Sequence, residues 1–227
     1  MIISVIVPTC NEESLLPACL ESILREPEDI QLIVVDGASN DNTLNVARRY
    51  TDEIIVLDIA DLSAQLNKGA EKAEGDILLF LHADTRLTPG CISRLKKIPS
   101  HIIGGAFTMQ LEGDRFFYRL LSLGGNLYCR LTGSYFGDRG IFVRKSSFRD
   151  LNGFNALPIM ADVDFSARLK SLGKTILLKG PLISSSRKFK TESPLRTLYL
   201  IIYALIAFKF GVDPGKIKNK YYHLPKK

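Results

Sequence analysis

The chain has 227 residues, 46% hydrophobic and 24% charged, which excludes wholesale disorder and leaves room for one generous domain. Its formal charge of +6 divides unevenly. Residues 165–227 hold 14 basic and 2 acidic residues, net +12, so residues 1–164 are net −6. An acidic body with a basic end argues against a nucleic-acid binder, whose basic surface would be more widely spread.

Ile2–Val7 reads as a buried strand, not a signal peptide, because no basic segment precedes it. No apolar run reaches the roughly 18 residues of a membrane span. Cys10, Cys19, Cys91 and Cys129 form no CxxC pair and read as reduced thiols in a cytoplasmic protein. Leu15 to Leu24 has helical spacing, Gln31–Val35 is a second strand, and a short helix follows Asp41 or Asn42 as cap. Ile54–Leu57 is a third strand, Leu62–Ala73 a helix, and Ile77–Leu81 a fourth strand. Apolar strands separated by helices predict a mostly parallel sheet flanked by helices.

Further on, Ile102–Met109 reads as a strand. Arg115–Leu131 is an aromatic, weakly helical stretch that Gly124-Gly125 is expected to break, and Phe116-Phe117-Tyr118 is read as core or acceptor wall. Ile141–Val143 is a short strand. Asp162–Leu172 is a helix closed by Gly173, and Thr175–Leu178 and Leu182–Ser184 are two short strands. Leu195–Phe210 is a helix apolar almost all round, and Pro214 opens a basic tail. Such a helix packs on the body, forms a homodimer contact, or lies on an inner-membrane face as a peripheral anchor. The expected division is 1–190 as the main domain and 191–227 as helix and tail.

In a parallel sheet, ligands bind beyond the carboxyl ends of the strands. Those ends read Pro8-Thr9-Cys10-Asn11-Glu12, Asp36-Gly37 and His82-Ala83-Asp84. Neither GxGxxG nor GxxxxGK[ST] is present, so a phosphate-cradling loop is not signalled. An acidic rim without that loop suits a diphosphate carried by a hard cation, Mg2+ or Mn2+.

Three stretches together resemble the successive motifs of the family 2 glycosyltransferases: Val7-Pro8-Thr9-Cys10-Asn11-Glu12, Val34-Val35-Asp36-Gly37 running to Thr43, and Leu81-His82-Ala83-Asp84-Thr85. Gly137–Arg144 and Leu157–Asp164 resemble a bacterial subgroup of radical-SAM or selenodomain-associated transferases. The resemblance spans roughly residues 1–189. It implies a GT-A fold and inverting transfer of a sugar from a nucleotide sugar, UDP-linked by expectation, to an acceptor hydroxyl that could be lipid-linked.

It also implies roles. Thr9, Glu12 and Asp36 would meet the donor's base and ribose, with Pro8, Asn67 and His82 in the same donor set. Asp84 matches the second carboxylate of the family's DxD motif and would bind the cation. Asp162 matches the general base, with Asp164 as the alternative and a helix cap as the plain structural reading of both. Asp138, Arg139 and Arg187 would face acceptor or phosphate. Two positions depart from the family pattern: His82 stands at the first DxD carboxylate, and Ala161 stands where a Glu precedes the base. Leu62, Ser63 and Ala64 stand where relatives often carry arginines, a charge Arg187 could supply instead. The departures leave a donor-binding protein with little turnover as the second reading.

Overall fold

The computed structural model describes residues 1–191 and 193–223. In chain order the elements are β1 (Ile3–Thr9), α1 (Leu16–Leu24), β2 (Ile30–Gly37), α2 (Thr43–Ala47), β3 (Ile54–Leu57) and α3 (Leu62–Lys72). Next come β4 (Ile77–Phe80), β5 (Thr85–Arg86), α4 (Cys91–Lys96), β6 (Ile102–Leu111) and α5 (Phe116–Thr132). A 3-10 turn at Gly137–Arg139 leads to β7 (Ile141–Arg144), α6 (Lys145–Asp150), α7 (Ala161–Leu172) and β8 (Lys174–Ser184). The helices α8 (Arg187–Thr191), α9 (Pro194–Lys209) and α10 (Pro214–His223) follow.

The strands form one sheet in the order β3-β2-β1-β4-β7-β6-β8-β5. β3, β2, β1 and β4 run parallel, as the sequence predicts for the first half. β7 then runs antiparallel to both β4 and β6, so the sheet is mixed. β1 is central and every one of its residues is buried. Its alternation feeds two cores, as the period of two requires. Val5 and Val7 join α1 and α4 on one face. Ile6 joins α3, α6 and α7 on the other. α3 lies close enough to β1 that a Cβ on Gly69 would fall 2.3 Å from Ile6.

Four sequence expectations need correction. α5 is continuous through Gly124-Gly125. A Cβ at Gly125 would sit 2.4 Å from an Arg139 nitrogen, so this glycine makes room for a buried side chain and does not break the helix. Within Phe116-Phe117-Tyr118, Tyr118 is core but Phe116 is 79% exposed. Gly173 is extended, not left-handed, at the end of α7. The two strands expected between 175 and 184 are one strand, whose register shifts across Lys179-Gly180-Pro181.

The segment from Pro214 to His223 is the helix α10, and residues 224–227 lie outside the described residues. α9 and α10 share a small core of Ala204, Ala207 and Ile217, against which Ile159 and Met160 pack. The α9 helix therefore docks on the body through one face. Its other face leaves Leu195, Tyr199, Ile202 and Ile206 exposed. Among the described residues, no helix is long and apolar enough to cross a membrane. All four cysteines are free thiols.

Candidate active site

The β1–β2 register places Thr9 opposite Asp36 at the carboxyl ends of the two strands. Thr9 Oγ1 donates to Asp36 Oδ1 at 3.0 Å. Ser39 donates to the same carboxylate through its backbone N–H, at 2.8 Å, and through its hydroxyl. Asp36 is fully buried beneath the rim and so fixes two hydroxyls above it. Gln65 reaches over from α3 and donates to Thr9 O and Val35 O, each at 2.8 Å. It closes two strand-end carbonyls that pairing leaves open. The sequence pattern offers no sign of this bracing, because the side chain crosses between elements.

A cleft of about 450 Å³ opens at these ends, lined by Pro8, Thr9, Cys10, Glu12, Gln65, His82, Asp84, Arg187 and Tyr222, among others. Glu12, Asp84 and Arg187 meet there. Arg187 donates to both Glu12 oxygens, at 3.0 and 2.7 Å, and stands 4.0 Å from Asp84 Oδ2. The guanidinium pKa is raised, first by the Glu12 hydrogen bond. Burial, and then Asp36, push the Cys10 thiol up, so it is no thiolate nucleophile at neutral pH. Tyr222 reaches this cleft from α10, far along the chain, with no motif to announce it.

Asp162 stands at the start of α7 and joins it to the 3-10 turn. Its Oδ2 accepts the Gly137 N–H at 2.8 Å and its Oδ1 the Val163 N–H at 2.8 Å. The cap position belongs to Met160, in left-handed conformation without a side-chain cap bond. Each Asp162 oxygen keeps a free lone pair. Burial raises its pKa, with the backbone hydrogen bonds opposing the shift. Asp164 is engaged elsewhere, paired with Arg168 at 2.8 Å and accepting from Asn155. The His82 ring lies against Gly137, where a Cβ would come within 2.5 Å of Nε2. That stacking requires glycine.

Of the expected site residues, Asn67 and Arg139 lie elsewhere, while Asp138 and Asp162 stand near His82 without lining the cleft. Asn67 donates to Phe154 O and accepts from Phe154 N, both at 2.9 Å, so it braces the 151–160 loop and does not line the cleft. Arg139 is 2% exposed and points under α5, where it donates to Asn126 and lies over Phe136. It is a buried structural cation, not a rim contact. Asp138 Oδ1 is buried without a hydrogen-bond partner. Desolvation raises the Asp138 pKa, opposed by Arg139 and His82.

Among the described residues, no three His, Cys, Asp or Glu side chains group as ligands for a cation. Asp84 would have to hold one with oxygens that a ligand brings. That donor set fits Mg2+ or Mn2+ on a diphosphate, since such ions keep few protein ligands in phosphate sites.

A mixed sheet with a polar cleft at the carboxyl ends of its parallel strands defines a GT-A type α/β protein. Residues 4–130 match the model of Glycosyl transferase family 2. The chain belongs to that family. It is 31% identical over 181 residues to a PGL/p-HBAD biosynthesis glycosyltransferase of Mycobacterium bovis, covering 73% of this chain and 68% of that one. A validoxylamine A glucosyltransferase of Streptomyces hygroscopicus is 34% identical over 98 residues, covering 39% of this chain and 21% of that one.

Among solved structures, S. aureus TarS 1-349 in complex with UDP-GlcNAc matches with a TM-score of 0.68 at 18% identity, over 97% of this chain and 71% of that one. The mannosyltransferase PcManGT of Pyrobaculum calidifontis, in complex with GDP-Man and Mn2+, matches with a TM-score of 0.67 at 18% identity, over 97% and 68%.

Proposed function

We propose that this chain transfers a sugar from a nucleotide sugar, UDP-linked in our reading, to an acceptor hydroxyl with inversion. The observation that carries this is the pairing of Arg187 with Asp84, 4.0 Å apart in the cleft at the strand ends. One cation and one carboxylate suit a diphosphate that arrives with a divalent ion. The complexes of TarS with UDP-GlcNAc and of PcManGT with GDP-Man and Mn2+ support a nucleotide-sugar donor on this fold.

In this reading Pro8 and Thr9 flank the nucleoside, and Asp36 acts through the Thr9 and Ser39 hydroxyls that it orients. Glu12 releases Arg187 to the diphosphate when donor binds. A bound Mg2+ or Mn2+ at Asp84 would stabilise charge on the leaving diphosphate. Asp162 takes the proton from the acceptor hydroxyl, whose oxygen bonds to the anomeric carbon as the bond to the diphosphate breaks on the opposite face. Burial that raises the Asp162 pKa makes it a stronger base than an exposed aspartate. His82 positions the Gly137 turn, whose N–H holds the base.

The Gly137–Arg144 and 157–164 motifs support the radical-SAM or selenodomain-associated subgroup as this chain's place in the family. The division into 1–190 and a C-terminal appendage of 191–227 belongs to the same reading, as does a cytoplasmic location. Ala161 beside the base, and the lack of a three-ligand cation cluster among the described residues, favour the second reading of a donor-binding protein with little turnover.

One assay separates the two. The chain is incubated with UDP-sugars and Mn2+, and UDP release is followed with and without a mixed hydroxyl acceptor set. Release that Asp162→Asn abolishes supports transfer. Tight donor binding with no release in any condition supports the second reading.

A further inference from the structure

The α5 helix turns two polar side chains, Ser122 and Asn126, toward β6 beside its buried Tyr118 and Cys129. Ser122 accepts the Leu111 N–H at 3.0 Å. Asn126 accepts the Met109 N–H at 2.9 Å and donates to Met109 O at 3.0 Å. These bonds satisfy backbone groups of β6 that no strand covers. Rotating the helix to bury its leucines would break all three. The outward face is consequently fixed, and it is apolar: Phe116, Leu120, Leu123, Leu127 and Leu131 are 79%, 56%, 67%, 56% and 73% exposed. At helical spacing they form one stripe, about 22 Å long at 1.5 Å per residue.

A stripe of this length on a soluble surface marks a contact site. Its charge selects the contact. Residues 116–132 contain Arg119 and Arg130 and no acid. At 100° per residue, Arg119 and Arg130 fall along one edge of the stripe. α9 and α10 repeat the character, with exposed Leu195, Ile206 and Phe210 and with Lys209, Lys216, Lys218 and Lys220. A second copy packed antiparallel on α5 about a two-fold axis would bring these arginine edges together, like charge on like. An anionic lipid surface takes both the leucines and the arginines.

We propose that the outward face of α5 seats this protein on the surface of an anionic bilayer, lying flat and not crossing it. The contact holds whichever sugar is moved. It also stands close to the site: Tyr128 of α5 stacks on Phe136 at 5.8 Å, next to Gly137, whose N–H holds Asp162.

The test is co-sedimentation of the full chain with vesicles of phosphatidylcholine alone and with added phosphatidylglycerol. We expect at least tenfold stronger retention on the anionic vesicles, reduced at high salt. The double variant Leu123→Glu/Leu127→Glu should lose that retention while keeping its melting temperature, because both side chains are exposed. Arg119→Glu should lose the anionic preference with the leucines intact. Equal retention on both vesicles, no retention on either, or unchanged retention of the double variant overturns the proposal. So does a dimer in solution that the double variant dissociates, which would give the face to a second copy.

Discussion

The Arg187 guanidinium grips both oxygens of Glu12, 175 residues away in sequence, at 3.0 and 2.7 Å. The pair spans from the β1 rim to α8 and closes the cleft with the protein's own charges. The Arg187 side chain is 49% exposed, so the pair adds little to stability. Its interest lies in exchange. A diphosphate offers Arg187 more negative charge than Glu12 does.

Arg187→Ala should therefore weaken donor binding by about tenfold to a hundredfold, as loss of a hydrogen bond to a charged group does. Glu12→Gln should weaken it less, since it removes a carboxylate that competes with the diphosphate for Arg187. Titration calorimetry with UDP decides. Equal affinity for parent and Arg187→Ala would remove Arg187 from the donor site.

Asp162 predicts a pH profile. Only the carboxylate accepts a proton, and burial raises its pKa. Transfer should rise with pH through a value above the ordinary aspartate pKa of about 3.9. Asp162→Asn should keep donor affinity and lose about a hundredfold to ten-thousandfold in kcat. Steady-state rates across pH test both, and a rate that the Asn variant retains would transfer the role elsewhere.

Gln65 predicts a stability effect. It is 4% exposed and satisfies two strand-end carbonyls. Gln65→Ala leaves both open and should cost about 1–3 kcal/mol. At this chain length each kcal/mol lowers Tm by about 2–4 °C. A calorimetric melt with unchanged Tm would show that water replaces the amide without loss.

Chelation should abolish donor turnover, and added Mn2+ or Mg2+ should restore it. Asp84→Asn should need more cation for the same rate, because the remaining ligands belong to the donor. Turnover that is insensitive to chelation would leave Arg187 as the charge that stabilises the leaving group.

The parallel half of the sheet is legible in the sequence, since β1 to β4 are short apolar runs that end in polar residues. The rim residues Thr9, Glu12 and Asp84 follow from that ending. The second half is not legible in this way. α5 presents helical spacing, but nothing local shows that Ser122 and Asn126 turn inward to serve β6 and leave leucine outside. Gly125 reads as a breaker until Arg139 is seen beside it. Asn67 carries a polar amide in a motif-rich helix, yet it spends that amide on Phe154. Tyr222 enters the cleft through tertiary packing alone, whereas Arg187, expected beside a phosphate from its place in the sequence, reaches the cleft from α8. Such pairings are set by contacts across the chain, which periodicity does not encode.

In the proposed function, the cleft at the carboxyl ends of β1 and β4 holds a nucleotide diphosphate through Asp84 and Arg187. Titration calorimetry of UDP in the presence and absence of Mn2+ tests it most directly. Saturable binding that strengthens with Mn2+ is expected, with more Mn2+ needed for the same strengthening in Asp84→Asn. A folded protein that binds UDP in neither condition would contradict it.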